Sequence, residues 1–280
     1  MTDMILFTGR GTSGSWQIRG AQMAQAMGAK ALPKARQGHI ASADTVVVVK
    51  RMTPELSVFL KGKRWVWDLV DFYPQPECTE WCRSEAIAWV KSQIQKHNPT
   101  GVIFANKRMQ MDCKTSTPST AIHHHHRPDI KLNPIRKEVQ SVAYEGAPAY
   151  LGKWAGRLIS ECNRRGWDFM VNPRYLADCD IVVAFRDDAV NGYVQRHWKS
   201  NVKLANAHGS GTPFIGPCES GYSETATGYE RWLESPEGLS AALDELECYE
   251  LRKTIHRQFI SSRLSVHTVA QQYRDFIDSL

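Results

Sequence analysis

The sequence predicts an α/β protein with two domains, each built on a parallel sheet covered by helices. Short apolar runs alternate with stretches of helical periodicity in both halves of the 280-residue chain. Two of these runs, TVVVV (45–49) and DIVVAF (180–185), are apolar without alternation. Such runs are typical of strands buried on both faces, as in parallel sheets with helices on either side.

The individual elements follow from the same patterns, taken in chain order. In the first half, strands are predicted at 4–8, 45–50, 64–70 and 101–106, with helices over 16–27, 53–62 and 79–97. In the second half, strands are predicted at 141–146, 168–172, 181–185 and 212–216, with helices at about 150–165, from about 202, and in the C-terminal segments. The alternation of strands and helices therefore occurs twice.

A polar, proline-containing segment without a sustained period lies near residues 114–140 and is interpreted as an interdomain linker. The predicted domains are 1–125 and 126–263. A last helix over about 264–280 is expected to pack back towards the first domain.

Histidines and cysteines are the candidate metal ligands. Four consecutive histidines, His123–His126, point in different directions and make a poor closed metal site. They are interpreted as linker or cleft lining, with an active-site role for His124 as the alternative. Of seven scattered cysteines only Cys78 and Cys82 are close together, so free thiols are expected rather than a metal site.

Composition limits the class of protein. The formal charge of +6 and the sequence pI of about 8.9 permit an anionic partner without resembling a nucleic-acid-binding tail. No stretch of 18 apolar residues occurs, and the N-terminal region lacks the basic and apolar regions of a signal peptide. A cytoplasmic protein without a transmembrane segment is expected.

A glycine-rich loop, GRGTSGS (9–15), follows the first predicted strand and leads into a helix. Free N–H groups and the positive end of a helix dipole make such a loop an anion site. The alternative is a tight turn capped by Ser13 or Ser15, since neither the dinucleotide fingerprint nor a Walker lysine is present. Under the first interpretation, Arg19 also faces the ligand, and the loop contributes Gly11, Ser13, Gly14 and Ser15.

A second informative stretch runs from His197 to Gly228. A helix of small residues ends at Gly211 and leads into a strand whose outgoing loop holds Glu219 and Glu224. The segment also contains Lys199, Lys203 and Asn206, which places polar groups near the carboxyl ends of a parallel sheet. Open α/β sheets bind ligands at that edge.

These motifs resemble the nucleotide-sugar glycosyltransferases of the GT-B architecture, and the second half is similar to the donor domain of the retaining group. The matching stretches cover most of residues 140–280; they are VAYEG (142–146), LADCDIVVAF (176–185), KLANAHGSGTPFIG (203–216), Glu224 and the terminal SVHTVAQQYRDFIDSL (265–280). The first half is similar more loosely, through the glycine loop and VWDLVDFYP (66–74). The resemblance implies two Rossmann-like domains facing across a cleft.

The resemblance also implies the ligand and its contacts. A nucleotide sugar, with UDP-sugar as the best match, is expected to bind without an obligatory metal, because cationic side chains and helix N-termini can neutralise the leaving diphosphate. The implied donor contacts are Gly146, Lys153, Lys203, Asn206 and Glu224, with Lys199 nearby. The family often has two glutamates eight residues apart, where this chain has Trp198 and Asn206.

In the acceptor half, Asp68 and Asp71 lie at the end of a predicted strand. Asp71 is the candidate base towards an acceptor hydroxyl, and capping of the following turn is the alternative for both aspartates. Asp71, His124 and Arg19 are therefore the candidate catalytic residues.

The expected function is transfer of a sugar from a nucleotide-sugar donor to a hydroxyl group. By resemblance to compact, basic phage enzymes of this architecture, the best acceptor is a 5-hydroxymethylpyrimidine in bacteriophage DNA. Such an enzyme needs an aromatic side chain to replace the flipped base, for which Trp16, Trp65, Trp67 and Trp81 are candidates. The alternatives are a surface polysaccharide or lipid-linked glycan as acceptor, or a catalytically silent nucleotide- or glycan-binding protein.

Overall fold

The computed structural model describes residues 4–71 and 81–280. The chain divides into two compact units. Unit 1 comprises Met1–His124, Gly192–Ser200 and Val266–Leu280, and unit 2 comprises His125–Asn191 and Asn201–Ser265. Both units are α/β with an all-parallel sheet, so the predicted fold class is confirmed.

Unit 1 contains a six-stranded sheet in the order β2-β1-β3-β4-β5-β6. Its strands are β1 (Ile5–Gly9), β2 (Lys30–Pro33), β3 (Thr45–Val49), β4 (Arg64–Val70), β5 (Gly101–Phe104) and β6 (Ser119–Ala121). All neighbouring pairs are parallel. Every residue of β3 is buried, as its uninterrupted apolar run predicts.

Helices cover this sheet. They are α1 (Gly14–Trp16), α2 (Met23–Met27), α3 (Gln37–Ser42), α4 (Pro54–Phe59), α5 (Arg83–His97), α6 (Lys107–Asp112), α8 (Tyr193–His197) and α13 (Val266–Asp278). A π-helical turn, Gln17–Gln22, joins α1 to α2, so the helix predicted over 16–27 forms with an irregular centre. The helix predicted over 79–97 begins at Arg83, and its first two predicted residues lie outside the described residues.

Unit 2 contains a five-stranded sheet in the order β11-β10-β9-β7-β8. The strands are β7 (Ser141–Tyr144), β8 (Asp168–Val171), β9 (Ile181–Val183), β10 (Phe214–Gly216) and β11 (Arg231–Trp232). The helices are α7 (Lys153–Arg165), α9 (Val202–Ser210), α10 (Ser220–Ser223), α11 (Leu239–Leu246) and α12 (Tyr249–Ser262).

In the core of unit 2, the rings of Trp154 and Phe185 stack with centroids 3.7 Å apart. The predicted end of α9 is confirmed, since Gly211 has the left-handed φ of 71° that a helix C-cap favours.

Three strands were not predicted. β2 and β6 are the two edges of the first sheet and β11 is an edge of the second, and none of the three is fully buried. Because an edge strand is short and half-exposed, it lacks the apolar run that identifies a central strand. β6 lies inside the segment that was interpreted as a linker, so the sheet of unit 1 extends further along the chain than predicted.

The segment Gly192–Ser200 belongs to unit 1, although the sequence-based boundaries assign it to the second domain. Trp198 explains the difference, because its indole is fully buried and its Nε1 donates a hydrogen bond to Asp112 Oδ2 at 2.9 Å. The Tyr193 hydroxyl donates to the same oxygen at 2.6 Å. Within residues 4–71 and 81–280, no helix has the length and apolar character needed to cross a membrane.

Candidate functional site

In unit 2, Lys203 and Gly146 meet at the carboxyl end of β7. Lys203 extends from α9, and its Nζ lies 4.5 Å from the centroid of the Tyr144 ring. Gly146 has a φ of 147°, and a Cβ there would lie 2.8 Å from the Tyr144 hydroxyl and 3.3 Å from Lys203 Nζ. The close approach therefore requires glycine, and it brings two of the predicted donor residues together.

Asn172 fixes the backbone of this turn. Its Oδ1 accepts a hydrogen bond from Gly146 N at 2.8 Å, and its Nδ2 donates to Gly146 O at 2.9 Å. The amide of Gly146 is thus used within the protein, and sequence reasoning missed Asn172. The only signal was its position directly after β8, the parallel neighbour of β7.

Asn206 stands where the family has a second glutamate, and both polar atoms of its amide make a hydrogen bond. Its Nδ2 donates to Glu145 Oε2 at 3.2 Å, and its Oδ1 accepts from the backbone N of Arg127 at 3.0 Å. Arg127 Nη1 also lies 3.9 Å from Glu145 Oε1. Asn206 lies in unit 2 and Trp198 in unit 1, so the two residues at the glutamate positions do not belong to the same unit.

Arg186 is a cation at the carboxyl end of β9 that sequence reasoning missed. Its Nη1 lies 2.5 Å from Glu219 Oε1, in the loop after β10. The Glu219 side chain is 3% exposed. Burial and the nearby Glu219 carboxylate raise the pKa of Tyr222 well above its ordinary value. Because Glu219 is buried, the pair holds the guanidinium in place at the strand end.

Lys153, at the start of α7, is paired with aspartates. Its backbone N donates to Asp187 Oδ2 at 2.9 Å, and its Nζ lies 2.5 Å from Asp188 Oδ2. Hydrogen bonds from the backbone N–H groups of Lys153 and Ala189 lower the pKa of Asp187. The predicted phosphate contact of Lys153 stays a prediction, and its ammonium would have to exchange Asp188 for the ligand. Glu224, half-buried at the end of α10, also stays a predicted contact.

In unit 1, Asp71 lies between two lysines. Its carboxylate is 2.5 Å from Lys50 Nζ and 2.9 Å from Lys199 Nζ. Burial alone would raise the pKa of Asp71, but Lys199 and Lys50 outweigh it and hold that pKa well below its ordinary value. Lys199, predicted beside the donor, lies in unit 1 because Asn106 Nδ2 donates to the carbonyl oxygens of His197 and Lys199 at 3.0 and 2.9 Å.

Arg19 was predicted to face the ligand, but its side chain is buried. Its side chain is 1% exposed, and its Nε and Nη2 donate to the two carboxylate oxygens of Asp68 at 2.9 and 3.3 Å. Tyr273 of α13 donates its hydroxyl proton to the same carboxylate. Burial opposes the charge on Arg19, but the Asp68 carboxylate raises its pKa. The reason is that a fully buried carboxylate needs a charged, hydrogen-bonded partner.

The glycine loop forms the capped turn that was the alternative prediction. Ser13 is the N-cap of α1, and its Oγ accepts a hydrogen bond from Trp16 N at 3.3 Å. Gly11 has a φ of 90°, and a Cβ there would lie 2.3 Å from Pro33. Gly14 has no such constraint, because a Cβ would meet nothing within 4 Å. Contact of Gly11, Ser13, Gly14 and Ser15 with a donor stays a prediction.

The histidine run is divided between the units. His123 and His124 belong to unit 1 and His125 and His126 to unit 2. His124 is buried, and the His123 carbonyl accepts a hydrogen bond from Arg19 Nη1 at 3.2 Å. Among the described residues, no group of three or more His, Cys, Asp or Glu side chains could hold a metal ion. Cys82 is an exposed free thiol, and Cys78 lies outside the described residues.

Three of the four tryptophans predicted as base-stacking residues are core residues. Trp16, Trp65 and Trp67 are at most 4% exposed. Trp81 is half-buried, and its ring centroid lies 6.1 Å from that of Trp89. The buried indoles pack between the sheet and its helices and present no face to a flipped base.

No protein-family model and no curated protein matches the sequence. Solved structures of glycosyltransferases are similar over nearly the whole chain. HepE of Anabaena in complex with UDP-glucose has a TM-score of 0.64 at 13% identity, covering 100% of both chains, and its UDP complex has a TM-score of 0.63. AviGT4, a glycosyltransferase of avilamycin A biosynthesis, has a TM-score of 0.58 at 11% identity, covering 99% of this chain and 98% of its own. The spinosyn forosaminyltransferase SpnP has a TM-score of 0.54 at 13% identity, covering 99% of this chain and 100% of its own. At these identities the similarity is one of fold, and the chain has the two-unit α/β fold of GT-B glycosyltransferase structures.

Proposed function

We propose that this chain is a glycosyltransferase that uses a UDP-sugar as donor and binds it through unit 2. The observation that carries the proposal is the position of Lys203, whose ammonium lies beside the Gly146 turn at the carboxyl end of β7. Open α/β sheets bind ligands at this edge, and an ammonium is a suitable partner for a diphosphate. The HepE complexes with UDP and UDP-glucose support the choice of nucleotide.

In the proposed reaction, the bond between the anomeric carbon and the diphosphate oxygen breaks as the acceptor oxygen bonds to that carbon. The hydroxyl proton of the acceptor leaves to a base. Negative charge builds up on the departing diphosphate, and fixed positive groups stabilise it. Lys203 and Arg186 are two cations of this unit that lie at strand ends, and Lys153 joins them if it releases Asp188. We propose that these side chains supply the charge, without an obligatory metal.

Asp71 is a poor base in its present environment. Lys199 and Lys50 lower its pKa, and a carboxylate with a lowered pKa accepts a proton weakly. We therefore assign Asp71 the role of holding the two ammonium groups together on the acceptor side. His124 stays a predicted catalytic residue.

The predicted acceptor, a 5-hydroxymethylpyrimidine in bacteriophage DNA, stays a proposal supported by charge distribution alone. Unit 1 has 19 Lys and Arg against 11 Asp and Glu, a net +8, whereas unit 2 has 16 against 18, a net −2; together they make the +6 of the chain. A polyanionic acceptor is attracted to the basic unit. Transfer to hydroxymethylated DNA, with unmodified DNA and neutral glycans as controls, tests this acceptor.

The donor site is tested by calorimetric titration with UDP, GDP, CDP and their sugars. Lys203→Ala should weaken UDP binding roughly tenfold, because a charge-assisted contact contributes about 1.5–3 kcal/mol. Lys253→Ala is the matched control, since Lys253 pairs with Glu250 on the exposed side of α12. If UDP and its sugars do not bind, or Lys203→Ala binds UDP like the wild type, the donor site is wrong.

A silent binding protein is the second candidate, and one observation motivates it. Asn206 has no charge where the family has an acid, and Glu145 and Arg127 already engage its amide. Hydrolysis of UDP-sugars by the purified protein separates the two functions. Binding of UDP without hydrolysis or transfer from any UDP-sugar would favour the silent protein.

A further inference from the structure

Two non-glycine residues at the ends of adjacent strands in unit 1 have left-handed backbones. Lys50 follows β3 with a φ of 63°, and Val70 ends β4 with a φ of 55°. A β-branched residue at such an angle is an outlier. Left-handed non-glycine residues persist only where the surroundings hold them, and they cluster at functional sites.

Asp68 holds both residues in this conformation. Its backbone O accepts a hydrogen bond from Lys50 N at 2.7 Å, and its Oδ1 accepts one from Val70 N at 3.2 Å. The pairing of β4 with β5 also shifts register between Asp68 and Val70, which leaves Leu69 as an extra residue. One buried aspartate therefore sets the course of the chain at two strand ends.

Asp68 is in turn held by residues from two distant parts of unit 1. Arg19, in the π-helical turn, binds both carboxylate oxygens, and Tyr273 of α13 donates its hydroxyl proton to one of them. The Arg19 guanidinium carbon also lies 5.2 Å from the centroid of the Tyr273 ring. Asp68 itself is 0% exposed, so the network is closed to water.

The two strained residues lie at the acceptor-side cluster, which consists of Lys50, Asp71 and Lys199. Lys50 is one of them, and Asp71 directly follows Val70. The Asp71 carboxylate reaches Lys50 Nζ at 2.5 Å and Lys199 Nζ at 2.9 Å. If Val70 relaxed to an extended backbone, the chain would leave β4 in another direction and Asp71 would separate from Lys50.

We propose that Arg19 and Tyr273 are positioning residues. Through Asp68 they keep Lys50 and Val70 left-handed, and so they fix the Asp71 carboxylate between its lysines. The participation of this cluster in sugar transfer rests on the proposed function, whereas the positioning itself does not. A buried ion pair that only stabilises the fold would make the same contacts, so the test must report on the cluster rather than on stability.

Reactivity of single lysines towards acetylation, measured by mass spectrometry at neutral pH, is such a readout. In the wild type, Lys50 should react slowly because its ammonium is paired and its side chain is 17% exposed. Tyr273→Phe removes one hydrogen bond to Asp68 and keeps the ring. It should speed acetylation of Lys50 roughly tenfold, the factor that corresponds to 1.4 kcal/mol. Lys61 in unit 1 and Lys253 in unit 2 are internal controls whose rates should not change.

Val70→Gly provides the decisive comparison, since glycine adopts a positive φ without strain. Adding Val70→Gly to Tyr273→Phe should return Lys50 to slow acetylation, because glycine at position 70 keeps the positive φ without the network. The Lys50 backbone keeps its hydrogen bond to the backbone oxygen of Asp68, which Tyr273→Phe does not remove. Val70→Gly alone leaves a cavity and should lower the melting temperature, yet Lys50 should stay protected. If Tyr273→Phe does not fold, the acetylation rate of Lys50 is measured in Arg19→Lys instead, with the same expected result.

Two results would overturn the positioning role. One is a Tyr273→Phe or Arg19→Lys variant with a lower melting temperature and an unchanged Lys50 rate, and the other is a Val70→Gly, Tyr273→Phe double variant in which Lys50 stays reactive. In transfer assays with UDP-glucose, Tyr273→Phe should lower kcat and leave the donor KM unchanged. Because acetylation needs no substrate, failure of the proposed function leaves the positioning test intact.

Discussion

Asn172 holds Gly146 by two opposed hydrogen bonds. The Asn172 Oδ1 accepts from Gly146 N, and the Asn172 Nδ2 donates to Gly146 O. The pair joins the carboxyl ends of β7 and β8, which are neighbours in the second sheet. The turn that it fixes lies directly beside the ammonium of Lys203. The position of that cation relative to the strand end therefore depends on a residue from a different strand.

Replacing Asn172 by aspartate should weaken UDP binding. The variant keeps an acceptor for Gly146 N, but it puts a carboxylate oxygen against Gly146 O in place of a donor. We expect a loss of roughly tenfold in UDP affinity, measured by calorimetry, because a hydrogen-bond donor to Gly146 O is lost and a repulsion is added.

Asn172→Gly tests the loss of the side-chain hydrogen bonds without a change in the backbone conformation. Asn172 has a φ of 51°, which glycine adopts freely, so the variant loses only the two hydrogen bonds. It should weaken UDP binding less than Asn172→Asp does. Equal affinity of wild type and Asn172→Asp for UDP would show that the turn does not contribute to the donor site.

The exposed ion pair of Lys153 and Asp188 predicts a variant that strengthens UDP binding. The Asp188 side chain is 73% exposed and that of Lys153 is 44% exposed, so the pair is weak and easily exchanged. If Lys153 binds the diphosphate, Asp188→Asn should strengthen UDP binding roughly two- to threefold, because the ammonium no longer has to leave a carboxylate. Lys153→Ala should weaken binding. UDP titrations that leave both variants at the wild-type affinity would remove Lys153 from the donor site.

Local pattern places Lys203 near the carboxyl ends of a parallel sheet, and the resemblance to GT-B enzymes adds Gly146, but neither predicts that the two residues meet. Gly146 follows an apolar strand, and Lys203 lies in the first turn of a helix of small residues. Asn172 and Arg186 also follow strands, but which strand ends meet depends on the order β9-β7-β8, which no local pattern contains. Their partners were therefore not predictable.

Arg19 was assigned to the wrong environment for a related reason. Helical periodicity predicts which residues share a face, and it puts Arg19 one turn after the loop. Its partner Asp68 is 49 residues away, and Tyr273 is on the last helix. Burial of a charge depends on such distant partners, so a pattern that spans one helix cannot distinguish a buried arginine from an exposed one.

The pair of Glu230 and His208 in unit 2 predicts a dependence of stability on pH. The Glu230 carboxylate lies 2.9 Å from His208 Nε2 and accepts hydrogen bonds from the backbone N–H groups of Thr227 and Gly228 at 3.0 Å each. Burial would raise the pKa of Glu230, but His208 and Thr227 outweigh it and lower the pKa from 4.5 to about 2. A carboxylate whose pKa is lowered in the folded state stabilises the fold at pH values above its unfolded-state pKa. This contribution is lost as the pH falls towards the folded-state pKa.

Glu230→Gln should therefore have a lower melting temperature than the wild type at pH 7, and the difference should shrink between about pH 4.5 and pH 2. The contribution lost in this window is on the order of 3 kcal/mol, from the size of the pKa shift. Melting curves of both proteins across this range measure it. A difference in melting temperature that stays constant down to pH 3 would mean that the carboxylate charge does not contribute.

The two loop glycines of unit 1 should differ sharply when each is changed to alanine. At Gly11 a Cβ would lie 2.3 Å from Pro33, and the φ of 90° is one that alanine rarely adopts. Gly11→Ala should thus lower the free energy of unfolding by about 1–3 kcal/mol. At Gly14, the first residue of α1, a Cβ meets nothing within 4 Å. Gly14→Ala should leave stability unchanged or raise it by up to about 1 kcal/mol, because alanine favours the helix and restricts the unfolded chain. Denaturant unfolding of the two variants measures both effects.

UDP titration of Gly14→Ala then separates the two interpretations of the glycine loop. Wild-type affinity identifies a structural turn, and weaker binding by a stable protein identifies a backbone that approaches the donor at Gly14.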